Sequence, residues 1–264
     1  MPIITISRGS YYRGKEVAEK VAERLGWACV SRDDLLERSG VFQAEELRLA
    51  RDITDAIHVL DRFACGKERF VENIRAVLLD TFRKDNIVYH GLAGHHILGR
   101  VPHQLKVRII ADFENRAAAE ASRTGISAGE ARDLLRRDDE ERRRWSRFLY
   151  GVDTHNPEEY DLVVNIGSIT VDDAVEIIAG TVALPRFAAT EASRAQVTDM
   201  ALAARAKVAL FKYPNASITA REGKVRVAMK APSEQEAEIS PMVREALAGI
   251  EGVGGVEIRF VPYY

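Results

Sequence analysis

The feature that most constrains this chain is a strand, a glycine-containing turn and an amphipathic helix in direct succession at residues 3–27. The β-branched run from Ile3 to Ile6 predicts a central strand of a parallel sheet. Apolar residues then recur at helical spacing from Val17 to Leu25, and Gly26 predicts the end of the helix. This succession is how phosphate-binding loops are built.

The turn fits the pattern G-x-x-x-x-G-K, in which backbone N–H groups surround a phosphate and the lysine adds a positive charge. The next residue is a carboxylate, where such loops place a hydroxyl that reaches Mg²⁺. Ser10 could supply that hydroxyl, or phosphates and water could hold the ion. The alternative is a surface turn with a solvated lysine. The candidate phosphate-binding residues are Gly9, Ser10, Arg13, Gly14, Lys15 and Glu16.

Further strands and helices alternate along the chain as far as residue 184. The pattern predicts a doubly wound parallel α/β sheet of five strands, with helices on both faces. Four strands are expected after the first, at 28–30, 87–89, 105–110 and 161–165, and residues 44–84 are expected to be mostly helical.

After Leu184 the composition changes, which predicts a linker at 185–195 and a small α+β domain at 196–264. Its predicted helices are 197–212 and 233–250. Its predicted strands are 217–221, 224–231 and 255–261. The order is therefore α-β-β-α-β.

The bulk charge is balanced: the 264 residues carry a net charge of −2, with a pI near 6.3. This favours neither DNA nor RNA as a partner. The sequence shows neither a signal-peptide pattern nor a long apolar span, so we expect a cytoplasmic protein without a membrane span. Two cysteines without metal-like spacing predict ordinary reduced thiols.

An arginine-rich stretch at 136–147 is the second candidate for function. Spacing of four residues would pair Asp139 with Arg143, as on an ordinary solvated helix. However, six arginines exceed the four carboxylates of the stretch. In a protein that transfers phosphoryl groups, such a helix would form a mobile lid over the phosphates.

Polar residues also follow the predicted second and third strands. Asp33 and His95 are expected at the carboxyl edge of the sheet, where α/β folds place ligands. Asp33 could instead lie in the first turn of a helix. The histidines at 90–103 match no metal-ligand spacing, so no protein metal site is predicted there.

Residues 1 to about 183 resemble the cytidylate kinase-like family of P-loop nucleoside monophosphate kinases. The landmarks are ITISRGSYYRGKEVAEKVAERLG, DNIVYHGLAGHHIL before LKVRIIA, Asp139-x-x-Arg142, and GVDTHNPEEYDLVVNIG. The resemblance implies ATP and Mg²⁺, phosphoryl transfer to a small acceptor, and a lid whose arginines contact phosphates. Members often carry a similar G-K-E ending in the loop, which makes Glu16 less unusual.

Carried over by position, Lys15 and Arg142 would be catalytic. One departure stands out: Gly91-Leu92-Ala93 replaces the Gly-Arg-Gly common in such kinases, which places CMP as the acceptor in doubt. The candidate acceptor-binding residues are Asp33, Gly91, His95, Arg136, Asp139 and Arg143.

Residues from about 195 to 264 resemble a BON domain through GKVRVAMKA and GIEGVGGVEIRFV. This implies an interaction or regulatory module, with a possible protein partner. Two alternatives to an active kinase stay open: a nucleotide-binding sensor that signals through this module, and a scaffold whose loop has lost function.

Overall fold

The computed structural model describes residues 2–9, 13–31, 34, 35, 37, 66–91, 94–230, 232 and 235–261. Contacts separate the chain into two compact units. The first consists of residues 1–63 and 84–189, and the second of residues 64–83 and 190–264. Among the described helices, none combines the length and apolarity needed to cross a membrane.

The first unit is built on a five-stranded parallel sheet, which confirms the predicted α/β core. Its strands are β1 (Ile3–Arg8), β2 (Ala28–Ser31), β3 (Ile87–His90), β4 (Gln104–Ala111) and β5 (Leu162–Ile166). Their order in the sheet is β2-β3-β1-β4-β5. The helices of this unit are α1 (Gly14–Leu25), α3 (Gly94–Leu98), α4 (Phe113–Thr124), α5 (Ala128–Tyr150) and α6 (Val171–Val182).

One face of the sheet is apolar. Ile4 and Ile6 of β1 are buried with residues of α1 and α6, in the same cluster as Val107 of β4. Burying such side chains contributes roughly 1.5–3 kcal/mol each. The core of the first unit therefore lies between this face and the helices α1 and α6.

The opposite face is polar at the centre. Thr5 and Ser7 alternate with those isoleucines and are also buried. Gln104 of β4 donates from Nε2 to Thr5 Oγ1 at 3.0 Å, and Arg108 donates from Nη1 to Ser7 Oγ at 2.9 Å. Because buried polar groups must find partners, these bonds hold β1 and β4 in register.

The second unit contains α2 (Gly66–Phe82), α7 (Glu191–Ala209), β6 (Ser217–Arg221), β7 (Lys224–Lys230), α8 (Glu236–Ala248) and β8 (Gly255–Val261). Its three-stranded sheet has the order β6-β7-β8. Glu222 and Gly223 both adopt positive φ, 51° and 80°, as a two-residue hairpin requires. The order α-β-β-α-β predicted after residue 196 is present.

Two features of this unit differ from the sequence expectations. The helix α7 begins at Glu191 rather than near Val197, because Thr190 and Ser193 form a reciprocal N-terminal cap. In addition, α2 groups with the C-terminal elements, although it lies between β2 and β3 in sequence. The domain boundaries at 184 and 196 stay predictions.

Candidate functional site

The N-terminus of α1 is the centre of the candidate phosphate site. Gly9 follows β1 directly, and α1 starts at Gly14, preceded by Arg13 at φ 49° without a side-chain cap. The first N–H groups of a helix have no partner within the helix, so they and the helix dipole favour an anion. Ser10 lies outside the described residues.

Gly14 is required by close packing. A Cβ atom at this position would lie 2.6 Å from Cβ of Arg8 and 2.9 Å from its Cδ. Any other residue would therefore push α1 away from the end of β1. The close approach keeps the helix N-terminus next to the strand that leads into the loop, as a phosphate cradle requires.

The charges of the first turn of α1 are arranged along the helix. Glu16 lies 3.8 Å from the guanidinium of Arg13 and 3.7 Å from Nζ of Lys20, so two cations offset its charge. Lys15 lies 3.6 Å from Glu19 and is 63% exposed. Its ammonium group is accessible to a ligand from solution.

A cavity of about 370 Å³ adjoins Gly9, at the carboxyl end of the sheet. We call it the Gly9 cavity. Its walls come from the end of β4, from α4 and α5, and from the segment before β5. The lining residues are Gly9, Arg108, Ile109, Ile110, Ala111, Arg116, Asp139, His155, Pro157, Tyr160 and Val163.

The expected pair of Asp139 with Arg143 is replaced by another. Asp139 of α5 accepts two hydrogen bonds from Arg116 of α4, one of them at 3.1 Å. The planar guanidinium of Arg116 reaches both carboxylate oxygens, which a neighbour on the same helix does less well. A Cβ atom at Gly9 would lie 3.1 Å from Arg116, so the pair borders the loop directly.

Arg143 instead binds Asp153, in the segment after α5. Its Nε and Nη2 donate to Asp153 Oδ2 at 3.0 and 2.7 Å, and Arg147 donates to the same oxygen at 2.8 Å. Hydrogen bonds from Arg143 hold the pKa of Asp153 well below its usual range. The arginine-rich helix is therefore tied to the segment that leads into β5.

A smaller cavity of about 290 Å³ shares Asp139 and His155 with the Gly9 cavity. Arg136 and Arg143 line it, and the Arg136 guanidinium lies 5.3 Å from the ring centre of Phe113. Arg142 is half-buried on α5. Whether Arg136, Arg142 and Arg143 contact phosphates as a lid stays a prediction.

The candidate acceptor-binding residues after β3 differ in burial. Gly91 is half-buried, and its N–H donates to the carbonyl of Ile6 at 3.2 Å. His95 is 3% exposed and its ring lies 4.7 Å from that of Tyr160. Asp33 and Leu92 lie outside the described residues. Acceptor contacts by these residues remain predictions.

Four residues of this region were not identified from the sequence: Arg108, Asp153, His155 and Tyr160. Arg108 lies in the predicted strand 105–110, where a charged residue among apolar neighbours is the signal that the sequence offers. The other three lie in the family landmark at 151–167, but spacing alone gives them no partner. Among described residues, no cluster of His, Cys, Asp or Glu is arranged to hold a metal ion.

Burial makes His95 a source of acid sensitivity. It lowers the pKa of His95 to about 3, and the nearby charges of His96, Lys106 and Arg108 act in the same direction. An unfolded histidine has a pKa near 6.5, so between pH 6.5 and 3 only the unfolded chain binds this proton. The free energy of unfolding should therefore decrease as the pH is lowered through this window. The contribution of His95 is up to about 1.4 kcal/mol per pH unit.

Urea unfolding at pH 6.5 and 5.0 checks this prediction. The variant His95→Phe should lose less stability than the natural chain between these two pH values. Burial lowers the pKa of His96 and His155 as well, so His95→Phe should still lose some stability between the two pH values. The informative quantity is the difference between the losses of the two chains. Equal losses in both chains would contradict the assignment to His95.

The first two thirds of the chain are similar to known proteins. The model of the cytidylate kinase-like family matches residues 3–168. A cytidylate kinase from Ignicoccus hospitalis is 31% identical over 182 residues, 67% of this chain and 97% of that protein. One from Archaeoglobus fulgidus is 30% identical over 190 residues, 70% and 96% of the two chains.

A solved structure shows the same fold at low identity. An uncharacterized protein from Eubacterium ventriosum superposes with a TM-score of 0.55 at 18% identity, covering 69% of this chain and 97% of its own. The family match ends at residue 168, so it does not cover residues 169–264, and the BON-like assignment stays a prediction. Since the family model spans more than half of the sequence, the chain belongs to the cytidylate kinase-like family.

Proposed function

We propose that the chain transfers a phosphoryl group from ATP to a nucleoside monophosphate or a similar small acceptor. The observation that carries this proposal is the N-terminus of α1, which presents Gly14 and Lys15 beside Gly9 within the matched family region. Its backbone donors, close packing and accessible lysine suit an oligophosphate.

ATP, when bound, supplies the phosphoryl group and the charge that Mg²⁺ offsets. The first-turn amides of α1 and Lys15 hold phosphate oxygens, and arginines of α5 offset the charge that develops during transfer. Mg²⁺ would be held mainly by phosphates and water, or with the help of the hydroxyl of Ser10. Catalysis would then consist of positioning and electrostatic stabilisation.

The acceptor site is proposed near Gly91 and the segment of Asp33, at the carboxyl ends of β2 and β3. Both relatives named above are cytidylate kinases, which makes CMP the first acceptor to test. Leu92 favours a different acceptor, because it occupies the position at which such kinases commonly carry an arginine. Its presence also keeps the sensor alternative, in which nucleotide binds without turnover.

Release of ADP from ATP decides between these functions. The purified chain is assayed with CMP, dCMP, UMP, AMP and GMP, each with and without Mg²⁺, and without an acceptor as the control. Acceptor-dependent ADP release supports the kinase and identifies its acceptor. Tight ATP binding without such release selects the sensor, and the absence of any nucleotide binding overturns both.

A further inference from the structure

Arg108 is a buried cation at the floor of the Gly9 cavity. It is only 8% exposed, on the polar face of the sheet beside Ser7. Its guanidinium donates to Ser7 Oγ and lies 5.8 Å from the ring centre of Tyr160. Within the described part of the chain, no carboxylate oxygen lies within 4 Å of it.

The hydrogen bonds around Arg108 end on neutral groups. Tyr160 Oη lies 3.1 Å from Ser7 Oγ and 2.9 Å from the carbonyl oxygen of Thr154. A carbonyl can only accept, so the phenol donates to Thr154 and the hydroxyl of Ser7 is free to donate to Tyr160. Ser7 then accepts from Arg108. This chain of hydrogen bonds contains no negative charge.

A guanidinium stays protonated at any pH at which the protein is folded. Removing it from water without a counter-charge is costly, because neutral dipoles replace only part of its hydration. The arrangement therefore indicates that an anion from solution completes the site.

The other charged groups of the Gly9 cavity do not supply this anion. Asp139 lies across the cavity but is bound by Arg116 through both oxygens. Burial lowers the pKa of His155, so its ring is neutral near pH 7 and adds no second cation. Arg108 thus gives the floor of the cavity a net positive charge, next to the loop that begins at Gly9.

We propose that Arg108 anchors a phosphate subsite in the Gly9 cavity, where its guanidinium binds phosphate oxygens of a nucleotide substrate. That the ligand is a nucleotide phosphate rests on the proposed function. That the ligand is an anion rests on the buried charge of Arg108. The phosphate comes either from ATP or from the monophosphate acceptor, and the two sources are separated by measurement.

The test compares Arg108→Met and Arg108→Lys with the natural chain, using Arg24→Met as a matched control. Arg24 pairs with Glu176 on the exposed surface, away from the lining residues of the Gly9 cavity. Calorimetry measures the dissociation constants of inorganic pyrophosphate, ATP and the monophosphate identified by ADP release, or CMP if none is identified. Urea unfolding without ligand measures the stability of each variant.

Arg108→Met should weaken pyrophosphate binding and binding of one nucleotide by roughly 10- to 100-fold, the range for a hydrogen bond to a charged group. Arg108→Lys should keep part of the affinity, and Arg24→Met all of it. Without ligand, Arg108→Met should be as stable as the natural chain or more stable, because an uncompensated charge has been removed. The nucleotide that loses affinity identifies the source of the phosphate.

Unchanged affinity of Arg108→Met for all three ligands, together with lower stability, would overturn the inference and make Arg108 a structural residue. If turnover is present in that case, the proposed function stands. If instead no acceptor yields ADP while binding still depends on Arg108, the proposed kinase activity fails and the phosphate subsite stands.

Discussion

Replacing Lys15 with methionine is expected to reduce phosphoryl transfer by at least about a hundredfold, as loss of a single charge-stabilising donor does in other active sites. The fold should survive, because the pair of Lys15 with Glu19 is exposed, and such pairs contribute only about 0.3–0.5 kcal/mol. Steady-state ADP release measures the first effect, and thermal unfolding the second.

The matched control for this variant is Arg24→Met on the same helix. Arg24 binds Glu176 of α6 at 2.8 Å and is also exposed, so its loss costs a similar surface ion pair. Turnover of the control should stay within about twofold of the natural chain, as is usual for surface changes. Undiminished phosphoryl transfer in Lys15→Met would refute the kinase hypothesis.

Ending the chain at residue 189 is expected to leave a protein that aggregates or unfolds without a sharp transition. The truncation removes α7, the described helix that packs most extensively on α2. The helix α2 buries Phe70, Ile74, Leu78, Leu79 and Phe82. Each side chain of this kind contributes roughly 1.5–3 kcal/mol when buried. Exposing a few of these side chains would cost as much as the whole free energy of unfolding of a typical domain, about 5–15 kcal/mol.

Light scattering and binding of a hydrophobic dye report the exposed surface of the truncated chain. Co-expression of residues 190–264 as a separate fragment should reduce both signals, because the fragment restores α7 and its Arg205, which lies 3.6 Å from Asp80 of α2. A truncated chain that unfolds as sharply as the full chain, at the same temperature, would show that α2 does not depend on α7.

Local patterns were sufficient for most of the fold. The β-branched run at 3–6 and the glycine at 26 gave β1 and the end of α1, since both signals act within a few residues. Ser127 and Glu130 form the cap that begins α5. Nothing local reports which helix α2 packs against, because its apolar stripe is compatible with either unit.

The candidate site could be proposed from the sequence where it is a continuous segment, and not where it depends on pairing between distant residues. The loop from Gly9 to Lys15 is recognisable by its own spacing. Arg116 and Asp139 meet across two helices, and their pairing depends on how α4 and α5 pack rather than on sequence separation. Arg108 lies in a predicted strand, but its burial beside neutral partners follows only from the structure.

The position of α2 has a consequence for the order in which the protein is made. This helix leaves the ribosome before β3, whereas its partner α7 follows more than a hundred residues later. Synthesis proceeds at about 5–20 residues per second, so roughly 5–20 seconds pass between the synthesis of α2 and that of α7. The nascent chain therefore exposes the apolar side of α2 while most of the first unit is synthesised, and exposed apolar surface of this kind is prone to aggregation.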